Sequence, residues 1–161
     1  ATEAAPTLVT TGASNISCLG EWVESTYSVV NGVLQQNGED LMAGVVSIQA
    51  QYGVSATANS NVITTWVEPT GTWAPGALTV ATRNRIKAVR LAVVARNPKQ
   101  ESTAVTTACD TSVSPETGLC TWTGGPGLNL STTVANWANY RYRVFETIVP
   151  LRNIIWSKDT L

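Results

Sequence analysis

The chemistry open to this chain is narrowed first by what it lacks. Its 161 residues include no histidine, which removes the commonest general base and every histidine-dependent triad. There is no Gly-x-Ser-x-Gly elbow and no phosphate-cradling glycine loop, so nucleophilic and nucleotide chemistry lack their usual frames. Two carboxylates could still make a glycosidase. Glu146 is the only acid inside a strong strand-like run, however, and beside Arg90 or Arg143 it reads as half of a structural ion pair. The three cysteines, Cys18, Cys109 and Cys120, include no Cys-x-x-Cys, so a zinc site has no ligand set. No catalytic, cofactor or metal site is expected. What remains is thiol chemistry. Cys109 and Cys120 flank a loop with Ser114-Pro115 and Thr117-Gly118, which is turn chemistry. A disulfide closing that loop would contribute about 2–3 kcal/mol and imply an oxidising compartment. Cys18 is left over. Trp66 and Trp73 could form a sugar-stacking platform, but such residues more often plug a small core or cover a sheet edge.

The elements around these residues read as strands. Tyr140 to Val149 is dense in β-branched and aromatic residues with charges between them, and Pro150 ends it because proline cannot donate to a ladder. Leu151, Ile154, Ile155 and Trp156 read as a C-terminal segment folded back over the sheet. Ile86 to Arg96 carries Val89, Leu91, Val93 and Ala95 on one side, so it is expected to be central, with Asn97-Pro98 terminating it. These two runs are expected to pair antiparallel, with Val89, Leu91 and Val93 buried. Gly44 to Val54 alternates Val46, Ile48, Ala50 and Tyr52 against Ser47, Gln49 and Gln51, a strand with one wet face. Trp22 to Val30 and Val33 to Gln35 flank Asn31-Gly32, the strongest short-range hairpin signal. Asn37-Gly38 repeats it, and Glu39-Asp40 reads as a solvated turn. Val62 to Val67 reads as a short strand, and Gly76 to Arg85 as holding a helical turn.

Composition agrees with this reading. The chain is 43% hydrophobic and 13% charged, enough to bury a core and against disorder. The fold class is mainly β, with antiparallel sheets and long loops, in one domain over 1–161 whose first 17 residues form a flexible or extended lead-in. The net charge of −1 conceals a split: residues 1–82 carry a net of −6 and residues 83–161 a net of +5. Such asymmetry can mark a nucleic-acid or membrane patch. With no run of adjacent basic residues, the expected reading is that acidic and basic strands interleave in one sheet and neutralise each other.

Three stretches also carry a family resemblance. Arg-Tyr-Arg-Val-Phe-Glu-Thr, followed by Val-Pro-Leu-Arg-Asn and Ile-Ile-Trp, resembles the C-terminal signature of PilW-type minor pilins of the type IV pilus. Ile-Gln-Ala-Gln-Tyr-Gly, with Cys18-Leu19-Gly20 upstream, and Ala-Val-Arg-Leu-Ala-Val-Val-Ala-Arg are similar to two further family strands. The resemblance implies an α+β pilin-like head and an extracytoplasmic place. It also implies a structural role at or near the pilus tip, in contact with other pilins or minor pilins. A minor pseudopilin of type II secretion is the related alternative, and a carbohydrate- or DNA-binding module the alternative from another class. Members of the family begin with a long hydrophobic stem helix, which these residues do not include, so Ala1 is expected to start a fragment. Cys18 is accordingly expected to find no partner within residues 1–161.

Overall fold

Two asparagine–glycine pairs build the first sheet of the computed structural model, which describes residues 23–122, 128 and 130–151. Asn31 and Gly32 have φ of 50° and 79°, and Asn37 and Gly38 have 53° and 87°. These are the left-handed turns that asparagine and glycine tolerate and that match strand twist. They join β1 (Tyr27–Val30), β2 (Val33–Gln36) and β3 (Glu39–Ala43) into an antiparallel meander. Glu39 and Asp40 therefore open a strand rather than lie in a turn. Gln35 on β2 holds Asp40 there, its Nε2 donating to Oδ1 over 2.7 Å. The first strand begins at Tyr27, later than expected, and Trp22 lies outside the described residues.

Gly44 is where the chain passes from this sheet to the next. It has φ of 85°, its N–H donates to Gly32 O (2.8 Å), and its carbonyl accepts from Arg96 N (2.7 Å). The first hairpin turn is thereby tied to an interior strand of the second sheet. That sheet comprises β4 (Val45–Ser55), β5 (Ile63–Val67), β6 (Ile86–Gln100) and β7 (Tyr140–Pro150), in the order β5-β4-β6-β7. All its pairings are antiparallel, and β6 and β7 are neighbours as the sequence implied. A one-turn helix, α1 (Val80–Arg83), leads into β6 and is closed by a capping box between Thr79 and Thr82.

Asn97-Pro98 does not end β6. The strand runs on to Gln100, with an irregularity between Arg96 and Gln100 where the ladder to β7 skips. Proline is tolerated at such a bulge because no ladder donor is needed there.

The core lies on the side of the sheet opposite to the one expected. Ala88, Ala92 and Val94 are buried at 2%, 0% and 0% exposure, whereas Val89, Leu91 and Val93 are half-buried. The cause is the long connection from β6 to β7. It lays Leu119, Leu128, Leu130 and Val134 over Val94, with Val46, Trp137, Tyr142 and Val144 packed around them. Each aliphatic side chain fully buried in this way contributes about 1.5–3 kcal/mol.

The two ends of that connection are laced together. Glu101 N donates to Asn139 O, Val105 N to Ala138 O, and Thr106 Oγ1 to Tyr140 O. The same cover overturns the expected wet face of β4. Gln51 is only 7% exposed and Gly53 is buried, while Ile48, Ala50 and Tyr52 are half-buried.

Candidate functional site

Arg90, in the middle of β6, organises the covered face. Its guanidinium lies 4.7 Å from the ring centre of Trp66 on β5 and 4.3 Å from that of Trp122 in the covering connection. Arg90 Nε donates to Gln51 Oε1 at 2.9 Å, and Gln51 Nε2 donates to Glu68 Oε1. Burial lowers the Arg90 pKa, opposed by the charges of Glu146 and Glu68. Gly53 is what lets Trp66 lie flat: a Cβ there would stand 2.8 Å from the indole ring. An aromatic–cation–aromatic stack of this kind fixes the cover on the sheet. It is a structural device rather than a reaction centre.

The other sequence-selected residues fall around this stack. Trp66 and Trp73 are each faced by a different arginine, Arg90 and Arg85, the latter at 5.3 Å. Neither ring is free on both sides for a sugar. Glu146 acts on Arg90 through space, while Arg143 turns to Phe145, 5.3 Å from its ring. Cys109 and Cys120 are joined, with S–S of 2.06 Å and Cα–Cα of 4.8 Å. Gly118 has φ of 81°, and a Cβ there would collide with the Ala108 carbonyl, so this loop demands glycine. Cys18 lies outside the described residues.

The expected neutralisation between acidic and basic halves is limited to Arg90, which reaches Glu68 through Gln51. Glu39 and Asp40 sit in the first sheet, while Lys87, Arg90, Arg96, Arg141 and Arg143 sit in the second. Arg141 and Glu101 form an ion pair at 3.1 Å, with both partners from the basic half.

The face of the second sheet that carries Val89, Leu91 and Val93, expected as core, is instead its more open side. Strand register aligns three rows across it: Ile48–Val93–Phe145, Ala50–Leu91–Thr147, and Val67–Tyr52–Val89–Val149. Phe145 and Val149 are 53% and 45% exposed. Contiguous apolar surface of this kind marks an interaction surface. The signal was present in the alternation of Val89, Leu91 and Val93, but it was read as core.

A family model described as Type IV Pilus-assembly protein W, PilW, matches residues 5–153. The chain belongs to this family. The three stretches whose wording resembles PilW proteins are β4, β6 and β7, three adjacent strands of one sheet. No match was found among curated proteins, and none among solved structures. PilW membership brings a role in type IV pilus assembly, interaction with other pilus proteins, and a cell-envelope or surface location. Among the described residues no helix is long and apolar enough to cross a membrane, and no cluster of ligands could hold a metal ion.

Proposed function

We propose that this chain is the globular head of a minor pilin that helps initiate type IV pilus assembly at or near the pilus tip. Its uncovered sheet face meets a neighbouring pilus subunit. The observation that carries this is the pairing of PilW membership with three rows, apolar but for Thr147, that belong to no buried cluster among the described residues. A role in assembly needs a durable apolar contact surface and no reaction centre, and the arginine–tryptophan stack behind the sheet gives that surface a rigid backing. The Cys109–Cys120 bond suits an extracytoplasmic head.

The test is a deletion strain complemented with the tagged protein. Loss of surface pili and of twitching motility on deletion is expected, with immunogold label confined to pilus ends after complementation. Label spread along the filament, or full piliation without the protein, would overturn the proposal.

A further inference from the structure

The Gly44 junction creates a second feature that the assembly role does not use. By tying the Asn31-Gly32 turn to Arg96 on β6, it leaves a cavity of 590 Å³ between the first hairpin, the second sheet and residues 133–140. Val29, Val46 and Val134 form apolar walls, and the exposed Asn31 and Thr133 supply polar groups at the rim. Among the described residues Arg96 is the one charged residue of this lining. Its guanidinium lies 4.5 Å from the Tyr140 ring centre. Arg96 Nε is buried with no hydrogen-bond partner among the described residues. Glu101, the acid next along the chain, is paired with Arg141.

We propose that this cavity binds a carboxylate carried on a short apolar stem. A guanidinium presents a planar fork of donors that a carboxylate satisfies through two parallel bonds. Stacking on Tyr140 holds the fork's plane in place, so little is lost on binding. One cation in the lining balances one negative charge, which selects a monovalent carboxylate over a dianionic phosphate. The valine walls then accommodate an apolar stem, and the volume lies within the range of small-ligand pockets. A free small acid and the C-terminus of a peptide share this chemistry.

The test is a titration of the isotope-labelled chain, followed by backbone amide shifts and by the side-chain Nε–H signal of Arg96. The probes are N-acetyl-L-leucine, its neutral amide, inorganic phosphate and a tetrapeptide ending in a free leucine carboxylate. Saturable shifts at Arg96, Asn31 and Gly32 are expected with the two carboxylates, weakened at least about tenfold for the amide and for phosphate. Tighter binding of the tetrapeptide assigns the carboxylate to a peptide end, and the reverse order assigns it to a free acid. Arg96→Gln should abolish the shifts. Because that change also removes a stacking contact, Ala135→Trp, which fills the cavity from an exposed rim position, provides a second block. No saturable shift by ~10 mM N-acetyl-L-leucine, equal binding of the amide or phosphate, or unchanged binding by Ala135→Trp would overturn the proposal.

Discussion

Arg90 is the residue on which the covered face depends, and its substitution separates charge from shape. Arg90→Ala removes two ring contacts and leaves Gln51 Oε1, in a residue only 7% exposed, without its donor. The expected loss is about 2–4 kcal/mol in urea unfolding, from the stacking and the charged hydrogen bonds together. Arg90→Lys keeps the charge but not the plane that lies between two indoles, so it should recover less than half of that loss. Full recovery by lysine would show that the stack contributes nothing beyond charge. Tyr142 gives a pH-dependent counterpart. Its hydroxyl donates to Trp137 O at 2.9 Å, and burial raises its pKa above the ordinary 10.0. A raised value in the folded state means the neutral phenol is favoured there. Its contribution is fully present below pH 10.0 and is lost as pH rises from there toward the folded value. Tyr142→Phe should therefore flatten the alkaline fall in stability while costing about 0.5–1.5 kcal/mol at neutral pH. Urea midpoints measured across that alkaline range, with and without the substitution, check both.

Among the elements, the connection from β6 to β7 decides where the core lies, and the Cys109–Cys120 bond closes a loop within it. Reduction, or Cys109→Ser with Cys120→Ser, should cost about 2–3 kcal/mol by loop closure. The amides of Leu119 and Val134 should lose hydrogen-exchange protection before those of β6. Unchanged protection in this segment would mean that its end contacts alone hold it. This connection also marks the limit of what the sequence made legible. The strands, their pairing and both Asn-Gly turns could be read because a period of two and turn chemistry are local signals. Which face of β6 is buried could not, because both of its faces are rich in apolar residues. The choice is made by Leu119, Leu128, Leu130 and Val134, which lie in a segment with no regular period. Pro98 was misread for a related reason: a proline signals a break in the ladder but not whether the strand resumes beyond it. Of the candidate site, the apolar rows were visible but assigned to the core. The Arg96 cavity could not be read at all, since it exists only where Gly44 brings a turn and a strand together.

At the scale of the whole molecule, one sheet has two apolar sides, and among the described residues only one packs into a buried cluster. The three rows run over five residues of β7 and cross three strands, or four in the row that reaches Val67, at most about 14 Å in each direction at ordinary strand spacings. That is a footprint of roughly 200 Å², against about 800 Å² per partner in a standard interface. The rows can therefore form the centre of a subunit contact, which a partner would have to extend beyond. Charge placed there should separate assembly from folding. Phe145→Asp with Val149→Asp alters side chains that are already about half exposed, so the loss of stability should stay within about 1 kcal/mol. Pilus number should nonetheless fall to that of the deletion strain, because a charge buried without a partner at an interface centre is strongly unfavourable. Val94→Asp, at 0% exposure on the covered side, should instead prevent folding. The measurements are thermal unfolding of the purified variants and counts of sheared pili from strains carrying them. A double variant that is stable and still assembles normal pili would place the subunit contact elsewhere on the head.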